Sequence, residues 1–584
     1  MEETPTPPRA GRLGLDPFSV STISIVACGA ISVWGLVSPD SLSESAQAFT
    51  GYGLRSFDWF FLGSCTLFLL ITGGLAFSRA GDLKLGKDDD EPEFSTISWL
   101  SMLFAGGMGA GLVFWGAAEP VTHYMTPPPG GGPEVYGAAR WSMVITNLHW
   151  GLHAWGIYAL GALVLAYFGF RRDLPLLAST PFRATLPAPW GNGLGRVADV
   201  IAVLAVVFGV TGSLGMGVMQ ITTGLHSVVG TPAGSTTVSV VVLIVLTISY
   251  MISAGTSLDK GIQILSNVNM GAAVFLLLFV LFAGPTQFLL STFITSIGDY
   301  FANLVELSTR LFHFSDEGAG WLRGWTLTYL IWWIAWAPFV GIFVARISRG
   351  RTIREFVIGV VFMPTLFSLL WFGVFGGTGL HVELFAGGGY GSLVLEDVTQ
   401  SMFSLFDYFP ATTALKVLAL LLVFTFLVTS ADSSAFVLGM MTSEGSLDPP
   451  TRRKLTWGVI IGFLTTSTLL SGGGVHVMRA IAIVGAIPFV LIMVGHVLCL
   501  FFSLAREPSM ARALSIEEAP AFVASEIGQL TASQMGELSA SQLGALTASQ
   551  LGELPPQRWD DDDPPPDGGD DAPPSADDAA GGVA

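Results

Sequence analysis

The chain has 584 residues, 51% of them hydrophobic and only 12% charged. That is more apolar side chain than a water-soluble interior can take up. The formal charge of −18 does not suit a nucleic-acid partner, and none is expected. Three cysteines, Cys28, Cys65 and Cys499, all fall inside apolar runs, which excludes a disulfide framework or a cysteine metal cluster.

In chain order, residues 1–18 are polar and read as a cytoplasmic leader. Twelve apolar segments follow, at 19–38, 58–78, 96–118, 140–168, 198–227, 235–253, 262–284, 323–346, 354–377, 412–441, 455–471 and 478–504. Runs near 20 residues with almost no charge predict membrane helices, so the fold class is an all-α membrane protein with twelve transmembrane helices in a lipid bilayer. With the N-terminus inside, the cytoplasmic loops receive Arg79, Lys84, Lys87, Arg171, Arg172, Arg349, Arg351, Arg452, Arg453 and Lys454, among others. The other side holds Arg55, Arg140, Arg310, Arg323, Lys416 and Arg479. This bias predicts that both termini are cytoplasmic. Residues 19–95 carry the first two spans. Between spans seven and eight, residues 291–322 place Phe293, Ile297, Phe301, Leu304 and Leu311 at helical spacing, predicting an amphipathic helix on the outer interface. Residues 506–584 form a separate tail. Leu530, Leu538, Leu546 and Leu554 recur every eight residues, and the end is acidic and Pro-rich. From Arg506 onward 15 acids face 3 bases, so most of the net charge belongs to the tail, whose end is expected to be disordered.

The third span, "FAGGMGAGLVFWGAAEP" at 104–120, has Gly106, Gly107, Gly109 and Gly111 near its middle. Glycine inside a helix costs roughly 1 kcal/mol relative to alanine. Close helix packing would explain such small residues. So would a break lining a protein cavity, where half-helix N–H groups meet anions and freed carbonyls meet cations. Three features favour the break. "HWGLHAWGIY" puts Trp150, Trp155 and Tyr158 within about 140° of one helical wheel, and "IWWIAWAPF" gathers Trp332, Trp333 and Trp336. A quaternary ammonium donates no hydrogen bond and is held by ring faces, at ~0.5–2 kcal/mol per ring. "FLVTSADSS" places Thr429, Ser430, Ser433 and Ser434 mid-span. Their hydroxyls either bond back to their own helix or serve a small hard cation.

"GMGAGLVFWGAAEP", "HWGLHAWGIYAL", "WTLTYLIWWIAWAPFVGIFVARISRGRTIREF" and "FLVTSADSS" together resemble the betaine/choline/carnitine transporters over roughly residues 15–505. The resemblance implies a LeuT-like core of two inverted five-helix repeats, here 96–290 and 323–505, with a discontinuous third helix. It also implies a homotrimer and a small onium substrate. Carried over, the aromatic box is Trp150, Trp155, Tyr158 and Trp333, with Trp332 and Trp336 flanking the pathway. The substrate carboxylate would meet the backbone of Met108, Gly109, Ala110 and Gly111. One sodium ion would take the carbonyls of Ala105, Met108 and Phe426 and the hydroxyls of Thr429 and Ser430. The family's second sodium site uses two threonines on span five; here those places hold Val206 and Val210, and Thr211 is one residue off. Osmotically regulated members tend to carry a basic C-terminal helix, and this tail is acidic.

The function read from this is sodium-driven import of a quaternary-ammonium zwitterion, glycine betaine first, by alternating access. Gly111 stands where choline-type relatives can carry an acid, which favours a zwitterion. The alternatives are a proton-coupled choline or other onium transporter and a non-transporting onium receptor. An enzyme is not expected: the chain has no H-E-x-x-H and no G-x-S-x-G. His149 and His153 are read as structural, with no third metal ligand evident. Asp432 is expected to be the one acid deep in a span.

Overall fold

The computed structural model describes residues 19–107, 109–129, 135–255 and 259–507. The leader, Met108, the tail from 508 with its eight-residue repeats, and two short stretches at 130–134 and 256–258 lie outside the described residues. Every element among the described residues is helical apart from one isolated bridge between Lys84 and Thr352.

The first helices are α1 (Val20–Val37), α2 (Pro39–Ser56) and α3 (Asp58–Phe77). α2 lies between the first two expected apolar segments. It forms because Pro39 opens it and Leu42, Ala46, Thr50 and Leu54 recur at helical spacing and are buried. The third span is two helices, α4 (Thr96–Gly107) and α5 (Ala110–Met125). The fourth is α6 (Val135–Trp150) and α7 (Leu152–Ala166), parted at Gly151 and closed by a π-helical turn, Tyr167–Arg171. A Cβ on Gly151 would sit 2.4 Å from the Asn147 carbonyl oxygen, so the parting needs a residue without one. Then come α8 (Thr180–Thr185), the 42-residue α9 (Ala188–Val229), α10 (Thr236–Gly255) and α11 (Asp259–Ala283).

The second half holds α12 (Thr286–Thr309), α13 (Asp316–Leu322), α14 (Thr328–Ile347), α15 (Ile353–Val357) and α16 (Met363–Phe385). After these come α17 (Tyr390–Glu396), α18 (Ser401–Leu405), α19 (Thr412–Met441), α20 (Thr451–Leu470), α21 (Gly474–Val484) and α22 (Ala486–Leu504). A π-helical turn, Arg323–Leu327, joins α13 to α14.

Among the described residues 11 helices are long and apolar enough to cross a membrane. The twelve expected segments differ from these in three places. The third is absent because its halves have only 12 and 16 residues. The eleventh, α20, is absent because Arg452, Arg453 and Lys454 and six hydroxyl residues dilute it. In exchange, α12 is included. The amphipathic helix expected over 291–322 is therefore not one element: it ends at Thr309, and Asp316–Leu322 already belongs to the run into α14. Of its expected apolar face, Phe301 is exposed, while the buried residues of α12 are Leu289, Ser296, Tyr300, Leu307 and Ser308.

Small residues allow close helix approaches. A Cβ on Gly376 of α16 would lie 2.4 Å from Pro120 Cγ, and one on Gly116 of α5 would lie 2.6 Å from Trp371 Nε1. The same Trp371 N–H donates to the Leu112 carbonyl at 2.8 Å. Gly376→Val should therefore push α5 off α16, at about 1–3 kcal/mol for overpacking. A lower melting temperature of the detergent-purified protein is the expected reading.

Candidate functional site

The glycine-rich span divides where the sequence places its glycines. α4 ends at Gly107, α5 begins at Ala110, and Gly109 between them is extended, with φ −147° and ψ 176°. A Cβ on Gly109 would meet nothing within 4 Å, so the space beside its backbone is open. Ala110 and Gly111 open α5, where the first N–H groups have no intrahelical acceptor and the helix dipole is positive. A Cβ on Gly111 would stand 3.3 Å from Trp150 Cη2. The break and the aromatic cluster are thus adjacent. Met108 lies outside the described residues, and Ala105 falls within α4.

Trp333 assembles the aromatic cluster. Its ring is 5.1 Å from Trp150 and 5.4 Å from Tyr158, at 85° to each, and Tyr158 is 5.7 Å from Trp155 at 79°. Near-perpendicular rings make walls rather than a stack, the arrangement a cation needs to meet several faces. The Trp333 N–H donates to the His149 carbonyl at 2.7 Å, fixing the ring. The helical-wheel argument for Trp150, Trp155 and Tyr158 assumed an unbroken helix. The break at Gly151 separates Trp150 from the other two, and they meet through α14 instead. Trp332 and Trp336 do not join these rings. The Trp332 N–H donates to Ser213 Oγ at 3.3 Å, and Trp336 packs on Phe339 and beside Gly209, so both face α9.

On α19, Thr429 Oγ1 lies 3.1 Å from the Phe426 carbonyl and 3.1 Å from that of Thr425. The hydroxyl proton goes back to its own helix, which leaves oxygen lone pairs for a cation. Hydroxyl and carbonyl oxygens suit a hard ion, so Thr429, Phe426 and the neighbouring half-buried Ser430 fit one. On α9, Val206 and Val210 are buried and offer no oxygen, while the buried Thr211 hydroxyl has no hydrogen-bond partner.

Sequence reasoning missed the most polar part of this region. Glu119 of α5 is fully buried, so Asp432, buried on α19, is not the one deep acid. Glu119 Oε1 is 2.5 Å from His149 Nδ1 and 3.4 Å from His123 Nε2, and Oε2 accepts the Trp150 N–H at 2.7 Å. A carboxylate only accepts, so His149 Nδ1 carries the proton, and its Nε2 lies 2.9 Å from Thr326 Oγ1. His149 also stacks on Tyr329 at 4.7 Å and 12°. Arg479 stands near, its guanidinium 4.5 Å from the Trp325 ring and 5.6 Å from Tyr329. The His149/His153 pair dissolves: His153 reaches Thr66 at 3.5 Å, and the third group beside His149 is Glu119. Donor atoms of Glu119, His123 and His149 all lie within 4.8 Å, close enough for a metal ion. However, two ligands about 2.0–2.1 Å from one tetrahedral ion stand roughly 3.3 Å apart. The 2.5 Å contact is a direct hydrogen bond. The available signal was Glu119 itself, an acid eight residues past Gly111 and next to Pro120 in an apolar run.

Residues 19–509 match the family model described as betaine/carnitine/choline family transporter. The chain belongs to this family. Its members are transporters, not enzymes, and the chain is a multi-pass membrane protein. It is 43% identical to the glycine betaine transporter OpuD of Bacillus subtilis over 84% of this chain and 94% of that protein. It is 39% identical to the ectoine/hydroxyectoine transporter of Virgibacillus pantothenticus, over 79% and 91%. It is 36% identical to the osmo-dependent choline transporter BetT2 of Acinetobacter baylyi, over 87% and 74%.

Proposed function

We propose that this protein imports a quaternary-ammonium zwitterion, glycine betaine first, by sodium-driven symport. The carrying observation is the 3.3 Å approach of the Gly111 Cβ position to Trp150. It sets the positive end of a broken helix against a ring that stands at 85° to Trp333. One small molecule can then lay its onium group on the ring faces and its carboxylate on the N–H groups of Ala110 and Gly111. The 43% identity to a glycine betaine transporter supports the substrate. The identity to a choline transporter keeps choline as the second reading.

The reading carries further parts. Counting the divided third span and α20, and leaving α12 at the interface, gives twelve spans with cytoplasmic termini, arranged as repeats over 96–290 and 323–505 in a homotrimer. Thr429, Ser430 and Phe426, with Ala105 and Met108, hold one sodium ion, which enters with the substrate. One charge falling through about 100 mV releases ~2.3 kcal/mol and a tenfold gradient adds ~1.4 kcal/mol, enough for roughly 500-fold accumulation of a zwitterion. Uptake of labelled betaine, choline, carnitine and a sulfonium zwitterion into sealed vesicles, with and without sodium, tests this. Betaine should accumulate only with inward sodium, and Thr429→Ala with Ser430→Ala should raise the sodium concentration for half-maximal uptake about tenfold. Accumulation indifferent to sodium would remove that ion, and saturable binding without accumulation would favour a receptor.

A further inference from the structure

We propose that Glu119 is a positioning residue for the onium cage, acting through the Trp150 indole: it fixes the plane of that ring and makes its face more attractive to a cation. The inference rests on the onium-binding reading above. Glu119 touches two consecutive residues that each govern a wall. Its Oε2 takes the Trp150 N–H at 2.7 Å. Its Oε1 takes the His149 N–H at 2.5 Å, and the carbonyl of that same His149 takes the Trp333 N–H at 2.7 Å. Trp150 is further hemmed by Phe372 at 5.2 Å and Tyr329 at 5.7 Å. One carboxylate on the half-helix after the break therefore sets the pose of two perpendicular rings on α6 and α14.

The electronic part follows from charge. An indole that donates its N–H to an ionised acceptor gains π-electron density, and cation binding to a ring is electrostatic attraction to that density. Burial keeps the effect from being screened, since hydrogen bonds polarise one another more strongly in a low dielectric. The groups facing Glu119 from each side are His123 on its own helix, His149 on α6, Tyr329 on α14 and Arg479 on α21. Within 4 Å the described basic partners of the carboxylate are the two histidines. Arg479 balances the charge from over the Trp325 and Tyr329 rings and leaves Oε2 to the indole.

The test is a double-mutant cycle with Trp150→Phe, which keeps a ring and removes the N–H. Glu119→Gln, which keeps an acceptor oxygen but loses the charge, should raise the apparent KM for betaine and for choline alike by about 3–10-fold. Glu119→Ala should raise both by more than about 10-fold, with half-maximal sodium unchanged within about twofold. In the Trp150→Phe background, either substitution should keep less than about half of its effect, the share carried through His149 to Trp333. Effects that add in full, or a loss of maximal rate at constant KM, would show an ordinary staple between α5 and α6 and overturn the inference. A second readout needs no substrate. The Trp150 indole resonance in 15N-tryptophan-labelled protein, assigned by its loss in Trp150→Phe, should move upfield in Glu119→Gln and further in Glu119→Ala. An unmoved resonance overturns the inference. A moved resonance in a parent protein that takes up no onium compound overturns the functional reading instead.

Discussion

Trp333→Ala should raise the apparent KM for glycine betaine about 10–30-fold, the largest loss expected of any single ring. Two effects combine. The face that meets both Trp150 and Tyr158 disappears, which removes ~0.5–2 kcal/mol of direct cation attraction. The remaining walls also lose their common neighbour, because Trp150 and Tyr158 each pack at 85° against Trp333. Together these amount to about 1.4–2 kcal/mol, and each 1.4 kcal/mol is tenfold. Trp333→Phe should recover part of the loss, because a ring returns without the N–H that binds the His149 carbonyl. Concentration dependence of labelled betaine uptake, normalised to protein in the membrane, gives the answer. An unaltered KM in Trp333→Ala would place the onium group elsewhere.

Gly111→Asp should turn substrate preference from zwitterion toward choline. A side chain at 111 starts 3.3 Å from Trp150 Cη2, so the carboxylate projects into the space beside the cage. It lies at the first turn of α5, where a negative charge is tolerated. There it repels the carboxylate of betaine and attracts an onium ion that has none. A like charge in place of a favourable contact discriminates by repulsion as well as attraction. Betaine KM should rise more than about tenfold while choline KM falls. Competition between the two labelled compounds in the same vesicles measures the ratio. Retained betaine preference would mean that the substrate carboxylate is met away from Gly111.

Much of the fold was legible because membrane helices leave a one-dimensional record. The tenth segment was read at 412–441 and observed at Thr412–Met441, since its ends are set where apolar residues stop. The break in the third span was legible for a similar reason: glycines so close together are too costly in a helix unless the backbone is needed. The bounds of α12 were less legible, because middling hydropathy does not say whether a helix's apolar side meets lipid or protein. There, Gly373 and Gly377 of α16 admit Phe293 and Leu289, a fit made from distant sequence.

By itself the sequence determined that this is a membrane protein, where its long apolar helices run, where the third one gives way, and which family it belongs to. Those features follow from local composition and from motifs whose residues are neighbours in the chain. Tertiary structure alone decided which aromatics share a wall. Trp150 and Tyr158 are separated by a second break at Gly151 and meet only because α14 inserts Trp333 between them, whereas Trp332 and Trp336 turn to α9. It also decided that Glu119 lies buried against His149 and Trp150, 30 and 31 residues away in the chain. A buried charge must find partners, but which helix supplies them is fixed by packing between elements, and spacing along one chain carries no record of that.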